Sequence, residues 1–159
     1  MFMIPKTQLA SLLILIAATI TAVSCKKDVG QSKQKTKTEL LTAGSWKKTA
    51  LTSNPAYDWY GDGNYTTDIL SIMKVCQADD FDTYRSDGTG DVDEGSTRCD
   101  QSDPQAWTFT WAFADNETKL VFDGFNEFTI VELTETTLKV GLTFEESGVT
   151  YTQEETYGH

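Results

Sequence analysis

The sequence has one histidine, at the far end as His159, and this near-absence excludes more than anything present. Histidine-based acid–base catalysis, Ser/His nucleophilic pairs and multi-histidine metal sites all need an imidazole placed among other groups. Most hydrolase mechanisms go with it. Cationic residues are also few: from Thr38 onward there are seven Lys/Arg against twenty-three Asp/Glu. A chain with a formal net charge of −11 does not bind nucleic acid by neutralising phosphates. Also missing are amphipathic helical periodicity, internal repeats and a long apolar run. Leu9 to Val23 is broken by Ser11, Thr19 and Thr21 and falls short of the roughly 20 residues that span a bilayer.

That short apolar run follows Lys6 and contains no acid, which is the three-part pattern of an export signal over residues 1–24. It ends in Ala22-Val23-Ser24-Cys25, which resembles a bacterial lipobox. The resemblance implies diacylglyceryl transfer to the Cys25 sulfur, cleavage before it and acylation of the new amino terminus. Several acyl chains give stable anchoring where one does not, so the membrane is an expected partner and the outer membrane of the cell envelope the expected location. Residues 26–38, with five lysines, one acid and Val29 as the single apolar side chain, bury too little to fold and read as a basic tether on the order of 20 Å long.

The folded part is expected over residues 39–159, starting with a short turn of helix at Glu39-Leu40-Leu41. Alternating or turn-bounded runs predict strands at 45–52, 81–85, 89–94, 107–113, 119–122, 127–133, 138–144 and 149–155. Ser86-Asp87-Gly88 is a hairpin turn, and the run Trp107-Thr108-Phe109-Thr110-Trp111-Ala112-Phe113 puts four rings on one face. Phe128 and Ile130 lie on one face and Val131 and Leu133 on the other, which predicts a bulge near Val131. Asn54 to Asp68 reads as a long loop, and 68–73 as an extended or short helical plug against the core. About eight short strands without helices predict an all-β, up-and-down antiparallel meander closing into a small barrel, with a β-sandwich as the alternative.

With Cys25 assigned to the anchor, Cys76 and Cys99 are left as a pair in a chain addressed to an oxidising compartment. A disulfide between them closes a loop of about 24 residues and contributes roughly 3 kcal/mol. A redox or metal role lacks CxxC spacing and nearby histidine. The acid pairs Asp79/Asp80 and Glu145/Glu146 read as surface charge rather than a glycosidase pair, because neighbours on a strand point to opposite faces. Two oxygen-rich clusters, Asp87/Asp91/Asp93/Glu94 and Asp58/Asp62/Asn64/Asp68, have the composition of calcium sites. The second has Tyr60 and Ile69 where an EF-hand loop needs ligands. No metal, cofactor or enzymatic activity is expected.

The order Leu41-x-x-Gly44-x-Trp46, Cys76-x-x-Asp79-Asp80-x-x-x-Tyr84, Asp87-Gly88, the Trp107 strand and Leu133-Thr134-x-Thr136-x-Leu138 resembles the lipocalin-like domain family found in lipoproteins of Bacteroidetes. The resemblance covers about residues 39 to 157. It implies a calycin-like barrel and carries over no catalytic residues. Gly44-Ser45-Trp46 matches the Gly-x-Trp of ligand-carrying lipocalins, whose late arginine has no counterpart, since Arg98 is the last one here. The expected role is a lipid-anchored binding module for a small apolar or amphipathic ligand. The alternative is a non-catalytic structural or interaction domain, with an envelope protein as partner. Candidate ligand contacts are Trp46, Trp107, Phe109, Trp111, Phe113 and Phe128 inside, and Tyr57, Trp59 and Tyr60 at the mouth. Bulky rings on short strands favour a filled interior over a hollow one.

Overall fold

A computed structural model describes residues 33–159; the expected export signal, Cys25 and most of the expected tether lie outside the described residues. Order begins earlier than the composition predicts. Helix α1 spans Lys37–Leu41, two residues before the expected start. It is fixed by a capping box in which Thr36 and Glu39 satisfy each other's backbone amides. Lys35 pairs with Glu135 at 3.0 Å, and Lys37 donates to the Glu117 carbonyl, so the last tether lysines are held against the domain.

Nine strands follow: β1 Ser45–Tyr57, β2 Thr66–Asp68, β3 Phe81–Tyr84, β4 Thr89–Asp93, β5 Ala106–Ala114, β6 Lys119–Phe122, β7 Asn126–Leu133, β8 Thr137–Glu146 and β9 Val149–Gly158. Each consecutive pair from β3 to β9 is antiparallel, and β1 pairs with both β3 and β9. Eight strands therefore close a barrel, and β2 is an extra strand outside that count. The sandwich alternative is excluded by the β1–β9 closure. The eight predicted strands are the eight of the barrel. The bulge near Val131 is present as a register shift between Ile130 and Glu132.

β1 runs five residues beyond its predicted end. Only Ser45–Lys47 pairs with β3; past that point β1 leaves β3 and pairs with β2 at Thr52 and Tyr57. The gap between β1 and β3 is spanned by β2, a 3-10 turn at Leu70–Ile72 and a second short helix, α2, Val75–Ala78. The expected plug is this segment. Ile69 within it is fully buried and donates its amide to the Leu51 carbonyl at 2.9 Å.

Directly opposed residues in antiparallel strands share a face, so the pairings Trp46↔Asp82, Tyr84↔Gly90, Gly90↔Phe109, Phe113↔Leu120, Leu120↔Phe128, Ile130↔Val140 and Leu138↔Tyr157 trace the barrel interior. One end is solid. Leu41, Trp46, Tyr84, Trp111, Leu120, Leu138 and Val140 form its buried cluster. α1 lies across this end, and the Trp46 indole Nε1–H donates to the Leu41 carbonyl at 2.8 Å. The ring face for which the sequence offers no arginine is covered by the His159 imidazole, 3.9 Å away centre to centre. Gly90 makes the aromatic layer possible: a Cβ there would sit 2.3 Å from Phe109 Cζ and 2.7 Å from the Thr83 carbonyl.

The Cys76–Cys99 disulfide forms, with its Cα atoms 5.1 Å apart. It joins α2 to the loop between β4 and β5. Asp79 reinforces the same junction by accepting from the Ser96 amide and hydroxyl at 3.1 and 2.6 Å.

Candidate binding cavity

The filled end does not extend through the whole barrel. A cavity of about 390 Å³ lies inside it, walled by Leu120 and Phe122 of β6, Phe128 of β7 and Leu138 and Val140 of β8. Its remaining walls are polar: Asp82 and Tyr84 of β3, Asn126 of β7, and Glu155 and Tyr157 of β9. A larger hollow of about 710 Å³ beside β2 is lined by Thr52, Ser53, Asn54, Thr67, Asp68, Thr152 and Glu154. Apart from Ser53, its β1 and β9 residues belong to the outward-facing set, and it has no apolar wall. The interior cavity has the size and the apolar-wall, few-polar-groups composition of a small-molecule site.

Strand parity explains the polar groups. Tyr84 is an inward ring, so Asp82, two residues before it, also faces inward; Tyr157 does the same for Glu155. Lys48 opposes Tyr157 across β1 and β9, and its Nζ lies 2.9 Å from Glu155 Oε2 and 5.5 Å from the Tyr157 ring centre. The Tyr157 hydroxyl donates to the same Glu155 oxygen. Glu155 is thus paired twice. The Asp82 carboxylate has no hydrogen bond or ion pair among the described residues.

Burial raises the Asp82 carboxyl to about 7; Lys48 opposes this, while Glu155 and Asp80 add to it. Asp82 keeps some accessible surface because the cavity reaches it, yet atoms surround it closely enough to strip most of its hydration. Asp80, ahead of β3, rises to about 6 through burial and then its acidic neighbours Glu94 and Asp79. The Tyr84 and Tyr157 hydroxyls are held neutral, in both cases chiefly by burial.

Of the residues predicted from sequence as ligand contacts, Phe128 alone lines this cavity. Trp46 and Trp111 are core, the latter donating its indole N–H to the Thr89 carbonyl at 2.9 Å. Phe109 and Phe113 pack edge-on against Tyr84 and Trp111 at 5.4 Å each. Trp107 is 48% exposed at the other end of β5. Tyr57 lies on β1 rather than in a loop and packs against Trp59, Phe144 and Tyr151. Tyr60 binds Gln77 Oε1 through its hydroxyl at 3.0 Å. None of these three mouth residues lines the cavity.

The two acid clusters weighed for calcium serve their own turns. Asp58 accepts from the Asp62 and Gly63 amides, Asp62 from Asn64 and Asp87 from Thr89, while Asp91 pairs with Arg85. Among the described residues no group of three or more acidic, histidine or cysteine side chains is arranged to hold a metal ion. No helix there is long and apolar enough to cross a membrane. No family model matches this chain, and no curated protein matches it.

Proposed function

We propose that this protein is a binding module of the cell envelope, tethered by lipid at Cys25, whose barrel holds one small amphipathic molecule. The observation that carries the reading is the interior cavity of about 390 Å³, apolar on one side and polar on the other. A domain serving only as scaffold gains nothing from leaving this space unfilled, since packing it would add stability. The lipobox-like Ala22-Val23-Ser24-Cys25 supports the anchor, and the closed eight-stranded barrel fits the lipocalin-like family resemblance.

Native mass spectrometry of protein isolated under mild conditions tests this. The expected result is a protein mass with a small molecule retained, and its loss in Val140→Phe, which pushes a ring into the cavity. A bare mass together with no uptake of neutral apolar probes refutes the reading. It leaves a barrel that acts through its outer surface.

A further inference from the structure

The polar end of the cavity is chemically lopsided. Two carboxylates, Asp82 and Glu155, line it, beside one ammonium, that of Lys48. The ammonium is committed to Glu155 at 2.9 Å, and the Tyr157 hydroxyl is committed to the same carboxylate. Asp82 is left facing the cavity with no donor from the protein among the described residues. Four of the ten wall residues, Tyr84, Phe122, Phe128 and Tyr157, present aromatic rings around it.

An unpaired carboxylate in a cavity lined by aromatic side chains is the chemistry that selects an ammonium group. The carboxylate accepts a charge-assisted hydrogen bond, and the ring quadrupoles attract the cation at the same time. The barrel already holds one example of the arrangement, since Lys48 Nζ contacts Glu155 and lies over the Tyr157 ring. The alternatives fare worse. An anionic head group would meet Asp82 and Glu155, and a group without a donor would leave Asp82 desolvated and unpaired.

We infer that the cavity takes a small amphiphile headed by a protonated primary or secondary amine, which donates to Asp82 while its apolar body lies along Leu120, Leu138 and Val140. This rests on the cavity being a binding site. It adds the class of ligand.

The test is calorimetric titration of the purified protein with three probes of one chain length: octylamine, octanol and octanoate. Octylamine is expected to bind about tenfold or more tighter than octanol, the worth of one hydrogen bond to a charged group, and octanoate weakest. Asp82→Asn is expected to remove the preference for octylamine over octanol. A second arm needs no variant. Asp82 is faced by Lys48 from β1, Asp80 and Tyr84 from its own segment and strand, Asn126 from β7, and Glu155 and Tyr157 from β9. An ammonium that requires the ionised carboxylate should bind about twofold or more tighter at pH ~8 than at pH ~5, releasing a proton at the lower pH, while uncharged octanol should respond less. Octanol binding with no amine preference and no such pH response overturns the inference and spares the cavity. No binding by any of the three overturns both.

Discussion

Asp82 offers the most demanding test of the structural argument, because a carboxyl held near 7 ties stability to pH in an unusual direction. In the unfolded chain it titrates at its ordinary value near 3.8, while in the folded protein burial moves it to about 7. Between those values the folded state binds more protons than the unfolded state, so stability falls as pH rises through this window and levels off above it. At about 1.4 kcal/mol per tenfold in proton activity, the gap sets a ceiling of about 4 kcal/mol. Water entering the cavity screens the charge, and about 1–2 kcal/mol is the expected effect. Asp80 adds to the same slope, since its value also rises, to about 6. Asp62, Asp79, Asp87, Asp91 and Asp100 do the opposite: each is lowered, mainly by hydrogen bonds from its turn or from Arg85 and Ser96. Their contribution is lost only as pH falls below about 4, outside the Asp82 window. The assay is urea denaturation of ligand-free protein, followed by tryptophan fluorescence between pH ~4.5 and ~8. Wild type should lose stability across that range. Asp82→Asn should be more stable than wild type at pH ~8 by about 1–2 kcal/mol and show a shallower slope. A wild-type profile that is flat or rising, or an unchanged slope in the variant, refutes the placement of Asp82 in the barrel interior.

Replacing both Cys76 and Cys99 with serine should cost about 3 kcal/mol and lower the melting temperature by several degrees; equal melting of the two proteins in non-reducing buffer refutes the staple. Gly95→Ala should destabilise by more than about 2 kcal/mol in denaturant titration, because the residue sits at φ +62° and a Cβ would lie 2.3 Å from the Asp79 carbonyl oxygen. A cost under about 0.5 kcal/mol would show that the α2 junction yields freely. Trp46→Phe removes the donor to the Leu41 carbonyl and part of the surface under His159, and a loss of about 1–3 kcal/mol is expected. Retained stability there would mean that α1 does not depend on Trp46.

The strands were legible because their inward residues alternate with outward ones and their turns carry Gly, Asn and Asp. β2 was not. Three residues, Thr66–Asp68, have no period to detect, and their pairing with β1 arises only because β1 peels away from β3. Most of the cavity lining was missed for a different reason. Charged residues in Phe81-Asp82-Thr83-Tyr84 and Glu154-Glu155-Thr156-Tyr157 suggest a solvated face when read by composition. Parity says otherwise, since each tyrosine that packs inward carries the acid two residues before it to the same side. That signal was present in the sequence. It could not be used until the strand partners showed which side of each tyrosine was inside. The tryptophan strand misled in the complementary way: its rings pack on one another and on Tyr84, so the most conspicuous aromatics became core and left the hollow to less conspicuous neighbours.

The polar wall also explains how the barrel tolerates a hollow at all. The cavity is partly open to solvent and is not a sealed dry void. The space must therefore hold water or a guest. Purely aliphatic walls would not keep water, which needs two to four polar partners. Asp82, Asn126, Glu155 and the tyrosine hydroxyls supply those partners along one side, while Leu120, Leu138 and Val140 supply none on the other. Water against the aliphatic wall is poorly held and its release favours binding, whereas water at Asp82 is well held and yields only to a group that replaces its hydrogen bonds. Selectivity should therefore reside in the head group of the guest and affinity in its apolar body. Lengthening an alkylamine by one methylene should tighten binding up to about fourfold until the cavity is full, with Asp82→Asn leaving that increment unchanged. An increment that vanished along with the carboxylate would show that the chain does not occupy the aliphatic side, and the two-sided reading of the cavity would fail.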